Sequence, residues 1–194
     1  MTRALCDSFI TRMRRRLLIL SLLLTAACGA PRVESAPRPA TDADYLRSRD
    51  LMVPVHGVKP SELRDTYNAP RSGGRAHLAL DILAKKGTRV LSVDDGVILR
   101  ITENDLGGKV IYIADPSRRF VYYYAHLDEW KYGLKAGDTV KRGQLIGSVG
   151  TTGNAPKDTP HLHFQLMRMG SGGRYWSGTP INPIPYLKRT GDER

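Results

Sequence analysis

Five histidines stand at positions 56, 77, 126, 161 and 163, and three of them fall in two short patterns with the composition of a metal site. Arg75-Ala76-His77-Leu78-Ala79-Leu80-Asp81-Ile82 sets a histidine and an aspartate four residues apart, and Pro160-His161-Leu162-His163-Phe164 sets two histidines two apart. On a strand rising ~3.3 Å per residue, positions two apart face the same side about 6.6 Å from each other, so His161 and His163 can line one site. The same arithmetic puts His77 and Asp81 roughly 13 Å apart, too far for both to meet one ion at bond lengths of ~2 Å. The chain must therefore bend or coil between them. Two imidazole nitrogens and one carboxylate oxygen suit a borderline cation such as zinc. Three protein ligands leave a fourth position for water, as catalytic rather than structural sites do. A cation so held lowers the pKa of its water and polarises a carbonyl. Either pattern alone also occurs where histidines are simply hydrogen-bonded on a surface or in a core. No His-Glu-x-x-His is present, so a helical zinc peptidase is not supported.

Short β-type runs separated by turn signals must carry these side chains. They are 89–93, 96–101, 109–113, 120–124 and 162–167, with Asp-Gly, Gly-Gly and Asp-Pro pairs between them. This predicts an all-β fold, one compact antiparallel domain. Residues 115–119 are expected to form a hairpin loop, and no long amphipathic helix is legible in the domain. In Tyr122-Tyr123-Tyr124 alternate rings should face core and groove. His56 reads as a strand-end or surface residue. Gly73 and Gly74 read as turn formers, and Asn154 with the loop to Thr159 as a groove wall.

The length allows one ordinary domain with flanking segments, and a composition 41% hydrophobic and 25% charged excludes a disordered or multi-spanning chain. At the N-terminus Arg14-Arg15-Arg16, an apolar run from Leu17 to Leu24, and Thr25-Ala26-Ala27-Cys28 follow the order of a secretory signal peptide, with Met13 a plausible start. The run is shorter than the ~20 residues of a spanning helix. Small residues before Cys28 resemble the lipobox of bacterial lipoproteins, although Thr25 departs from the usual aliphatic residue. The resemblance implies cleavage after residue 27, an acylated Cys28 and, with Gly29 following, sorting to the outer membrane of a Gram-negative cell. Cys6 would be removed, leaving no disulfide partner. Residues 1–27 hold five arginines and one aspartate, so their loss takes the net charge from +11 to +7. That surface suits an anionic envelope, and charge alone gives no reason to infer nucleic acid. Residues 28–50, rich in Pro, Ala and charge, read as a lipidated cysteine followed by a flexible tether.

Arg71-Ser72-Gly73-Gly74-Arg75 before His77, Gly87-Thr88, Asp95-Gly96-Val97, Tyr124-Ala125-His126-Leu127, Gly143-Gln144-Leu145-Ile146-Gly147, Gly150-Thr151-Thr152-Gly153 and Pro160-His161-Leu162-His163-Phe164 resemble, in order and spacing, the LytM or lysostaphin-type peptidases. The resemblance covers residues 52–187 and implies a peptidase domain over 51–187, a tail over 188–194, and a duplicated-hybrid-motif β fold with a groove. It further implies zinc on His77, Asp81 and His163, His161 as general base, and His126 orienting water or stabilising the tetrahedral intermediate. The expected activity is zinc-dependent hydrolysis of peptide cross-links or stem peptides in peptidoglycan. Ala79 stands where the family has glycine, which bears on the bend between His77 and Asp81.

Three rivals differ in class. A catalytically silent relative that activates wall amidases would lack part of the His77, Asp81, His126, His161, His163 set; an unidentified regulatory envelope protein is a separate candidate partner of the chain. A biotinyl or lipoyl carrier resembles 133–144 but would need an attachment lysine at a hairpin tip. A zinc D,D-carboxypeptidase would, by family resemblance, space its first His and Asp more widely.

Overall fold

A computed structural model of the chain describes residues 41–71, 74 and 76–190. The expected signal peptide, Cys28 and the tether to residue 40 lie outside the described residues, as do residues 191–194. Among the described residues no helix is long and apolar enough to cross a membrane.

In chain order the elements are helix α1 (Asp42–Arg49) and strands β1 (Leu51–Met52), β2 (Leu80–Leu83), β3 (Arg89–Leu91), β4 (Gly96–Asn104), β5 (Gly108–Ala114) and β6 (Phe120–Trp130). Then follow β7 (Thr139–Val140), β8 (Leu145–Val149), β9 (His161–Gly170), β10 (Arg174–Ile181) and β11 (Leu187–Arg189). Among the described residues the main sheet runs β10-β9-β6-β5-β4-β7, with β2 on β9 and β8 joining β3 to the far half of β6. These pairings are antiparallel, as the sequence predicts, and β1 and β11 form a separate parallel pair.

Alternation on β6 organises the core. Phe120, Tyr122 and Tyr124 are fully buried, with Phe164 and Leu162 of β9 beside them. Removing each such side chain from water contributes about 1.5–3 kcal/mol. The buried phenols are satisfied: Tyr122 donates to Asp94 Oδ2 at 3.0 Å, and Tyr124 Oη accepts from Val93 N at 3.0 Å. The expected 115–119 loop is closed by Asp115, whose Oδ1 accepts from Arg119 N and Phe120 N and whose Oδ2 accepts from Ser117 N.

The structure corrects both boundaries of the domain. Residues 42–49, expected to be tether, form α1, capped where Thr41 Oγ1 accepts from Asp44 N. Leu46 is fully buried and Tyr45 stacks on Phe120 at 5.6 Å. Arg49 makes two 2.8 Å bonds to Asp94, Tyr45 donates to Asp115, and Arg119 and Arg168 pair with Asp42. One buried leucine and ion pairs to distant residues of both signs hold a segment too polar to read as core. At the other end β11 extends to Arg189 and receives Val53 N on the Arg189 carbonyl, so the fold does not stop at 187.

Candidate metal centre

β9 lies between β2 and β6, and His163 sits opposite Asp81 on one side and Ala125 on the other. His161 and His163 thus share a face of β9, and Asp81 enters from the neighbouring strand. The bend demanded between His77 and Asp81 falls at Leu78, whose φ is +58°, rather than at Ala79. A left-handed non-glycine residue costs roughly 1–2 kcal/mol. Here Leu78 N donates to Tyr67 O at 2.7 Å and Leu78 O accepts from Gln165 Nε2 at 2.9 Å. Those bonds hold the turn, and the Ala79 methyl is accommodated in the core.

The bend brings three donor atoms together. His77 Nε2, His163 Nδ1 and Asp81 Oδ1 form a triangle with every edge 3.0 Å. Ligands at ~2.0 Å in tetrahedral array lie ~3.3 Å apart, so the triangle has nearly the size of one face of such a shell. His77 Nδ1 donates to Thr66 O at 2.9 Å, which leaves Nε2 of the neutral ring as a lone pair. Two lone-pair atoms, His77 Nε2 and Asp81 Oδ1, therefore face each other at 3.0 Å, a contact that a cation makes favourable. The residues present fit a zinc-type ion, and among the described residues His77, Asp81 and His163 can hold one.

Burial tends to raise the Asp81 pKa, but the adjoining His163 and His77 rings outweigh it and hold the carboxyl well below the usual range. Burial pushes His163 down, so its ring is neutral and can ligate. Arg71 reaches Asp81 Oδ2 at 2.6 Å, turning Oδ1 toward the histidines.

His161 and His126 stand beside this triangle without joining it. His161 Nδ1 donates to Thr159 O at 2.8 Å, with Nε2 3.8 Å from Asp81 Oδ1. His126 Nδ1 donates to Thr152 O at 2.9 Å, and the His126 and His161 ring centroids are 5.0 Å apart. A β-bulge places His126: between the pairs Ile111 with Tyr124 and Lys109 with Leu127, β6 carries two residues against one on β5. His126 takes φ +60° there, with its N–H on Gly107 O at 2.7 Å. Bulges characteristically re-aim a side chain next to a site. Burial lowers the His126 pKa to about 4, so the ring is neutral at pH 7.

All five expected residues come together in one cluster. Tyr123 faces it, with its ring 6.1 Å from His163, while Tyr122 and Tyr124 face the core. His56 lies apart, its N–H on Arg89 O. Sequence reasoning missed Thr66, Arg71 and the three threonine carbonyls that orient His77, His126 and His161. Thr66 is the most economical of these: its carbonyl takes His77 while its hydroxyl accepts from Asp81 N at 2.9 Å. Arg71 and Thr152 fall in runs that carry the family resemblance and Thr159 ends the loop expected as a groove wall, but the sequence assigned none of them a role at the site.

The model of peptidase family M23 matches residues 75–183. An L-Ala--D-Glu endopeptidase of Bacillus subtilis is 36% identical over 132 residues, covering 64% of this chain and 39% of that protein. The peptidoglycan DD-endopeptidase ShyC of Vibrio cholerae is 34% identical over 96 residues, covering 50% of this chain and 21% of its own. Among solved structures, a zinc-containing peptidase from Vibrio cholerae superposes with a TM-score of 0.50 at 27% identity, over 63% of this chain and 34% of that one. The chain thus spans well under half the length of these relatives.

Proposed function

This chain belongs to peptidase family M23, and from that membership we propose that it is a zinc-dependent endopeptidase that hydrolyses cross-link or stem peptide bonds of peptidoglycan. The observation that carries the reading is the 3.0 Å triangle of His77 Nε2, Asp81 Oδ1 and His163 Nδ1 with two further imidazoles beside it. A zinc ion held by His77, Asp81 and His163 would supply acidification of a water and polarisation of the scissile carbonyl. The peptidoglycan peptide as substrate rests on the names of the relatives, one a peptidoglycan DD-endopeptidase.

His161 and His126 carry the proton work. Each gives its Nδ1–H to a backbone carbonyl, so each presents an Nε2 lone pair to the attacking water. His161, nearer to Asp81, is the base that removes the proton and returns it to the leaving amine. His126, neutral by burial, accepts a hydrogen bond and orients the water. That assignment favours water orientation over stabilisation of the tetrahedral intermediate, which would need a donor at Nε2. The complete set of five runs against a silent amidase activator, which would lack part of it.

The sequence supports a further placement: the mature protein is anchored through lipidated Cys28 and works in the periplasm, at the outer membrane of a Gram-negative cell. No nucleic acid enters this reading. The deciding experiment is mass analysis of muropeptides after incubating purified sacculi with the protein. Cross-linked dimers should fall to monomers, and zinc chelation should stop this. Release of terminal D-Ala alone would make it a carboxypeptidase, and intact muropeptides with zinc bound would overturn the reading.

A further inference from the structure

The groove face of the sheet carries a second row of side chains next to the metal row. Register places Arg100 opposite Tyr112, Tyr112 opposite Tyr123, and Tyr123 opposite Gln165. The rings continue beyond the sheet: Tyr123 lies 4.6 Å from Tyr112, Tyr112 5.1 Å from Tyr175, and Tyr175 4.8 Å from Trp176. From His163 to Trp176 the successive steps together match an extended peptide of about six residues. The row ends in a hollow of about 230 Å³, where Tyr112, Tyr175 and Trp176 meet Arg100, Glu103 and Asn104.

Packing does not explain this end of the row. Trp176 is 61% exposed and belongs to a cluster with Tyr175 and Tyr112, and Tyr and Trp are enriched at interfaces, where one end of the ring is apolar and the other wet. The backbone is shaped to present it: β10 pairs with β9 at Arg174 and again only at Thr179, so Tyr175 and Trp176 ride on an extended bulge. Gly178 allows the bulge to close, since a Cβ there would collide with Arg168 O. Flat rings beside a cation, a carboxylate and an amide present both an apolar face and hydrogen-bonding groups at its edge. A pyranose ring offers the matching chemistry, with C–H bonds on its faces and hydroxyl and acetamido groups around its rim.

We propose that the hollow at Tyr112, Tyr175 and Trp176 is a subsite for an N-acetylated amino sugar of the glycan strand, one stem peptide away from the metal centre. The proposal rests on the peptidoglycan reading, because it makes the sugar and the scissile peptide parts of one substrate. Recognition then selects stems still attached to glycan over free peptides.

The test uses the zinc-loaded protein and two readouts. In the first, the disaccharide N-acetylglucosaminyl-N-acetylmuramic acid is titrated while the indole N–H signals are followed by NMR. The Trp176 signal, assigned by its loss in Trp176→Ala, should shift, and a sugar-free stem peptide at equal concentration should leave it in place. In the second, cleavage of glycan-bearing muropeptides is compared with cleavage of the same peptides after the sugar is removed. Trp176→Ala should raise KM about 10-fold for the former, a loss typical of one aromatic contact, with kcat and the sugar-free reaction unchanged. Trp176→Phe should recover most of the loss. A Trp176 signal that ignores the disaccharide, or moves instead with the stem peptide, overturns the proposal even if peptides are cut normally. A disaccharide shift in a protein that cuts no wall peptide would keep the sugar site and remove the endopeptidase reading.

Discussion

The carbonyl oxygen of Thr66 lies 2.9 Å from His77 Nδ1, and the hydroxyl of the same threonine accepts the backbone N–H of Asp81, also at 2.9 Å. One residue thus fixes the tautomer of one metal donor and the position of the strand that carries another. Partners of this kind typically alter metal affinity 10–100-fold. Thr66→Val keeps the carbonyl and loses the hydroxyl, so zinc affinity should fall about 10-fold, and Thr66→Ser should restore it. Competition against a chelating dye measures this, and a Thr66→Val protein with wild-type affinity would show that the hydroxyl does not matter to the site.

Binding metal and using it should separate by mutation. His77→Ala and Asp81→Ala should lose both zinc and activity. His161→Ala and His126→Ala should keep close to one zinc per chain and lose turnover by ~10²- to 10⁴-fold each, the usual range for acid-base groups. Losses of similar size would not mean equal roles, since groups acting together are non-additive. Elemental analysis beside cleavage of sacculi, with circular dichroism for folding, gives the answer. A folded but metal-free His161→Ala would reverse the order of the two β9 histidines.

The His126 pKa, held down to about 4 by burial, gives a pH dependence with a definite sign. The unfolded chain binds this proton more tightly, near pH ~6.5, so stability rises with pH between the two values. The contribution of the buried neutral ring is complete above pH ~6.5 and is lost as pH falls through about 4. An NMR titration of His126 in the zinc-free protein should find its midpoint far below that of the exposed imidazole of a model peptide. A midpoint at the ordinary value would contradict the burial argument.

Helix α1 should behave as part of the domain. Leu46→Ala should destabilise it by ~2–4 kcal/mol, the range for a buried leucine truncation, read from urea unfolding. Limited proteolysis should leave a fragment that still includes Asp42–Arg49. A stable core beginning near Leu51 with unchanged midpoint would show that α1 is dispensable.

Cys28→Ser should release the protein from the membrane fraction or block processing of the signal. Unchanged membrane retention with normal processing would dispose of the lipid anchor.

The donors were legible because side-chain chemistry announces them: His77, Asp81, His161 and His163 have the right types at spacings that strand geometry can test. The residues that orient them were not. A backbone carbonyl belongs to every residue, so nothing in the identity of Thr66, Thr152 or Thr159 says that it will receive an imidazole. The bend was required by arithmetic yet placed by glycine preference at the Ala79 position. Bonds from Tyr67 and Gln165 instead hold Leu78 left-handed, a tertiary effect invisible to local propensity. Strand alternation gave the fold class and the inward pair Tyr122 and Tyr124. It could not give α1, whose attachment depends on Asp94 and Asp115, 45 and 70 residues away.

The centre joins His77 to His163 across 86 positions of chain, with the 82-residue Asp81 to His163 contact alongside. Closing contacts this distant in sequence costs more chain entropy than pairing the local hairpins. A nascent chain that ends before β9 therefore carries His77 and Asp81 but has no centre. Because ligand geometry and folding are coupled, the complete donor set arrives only with the stretch from His161 onward, less than a fifth of the polypeptide. Copies truncated before β9 keep two of the three donors and cannot close the triangle.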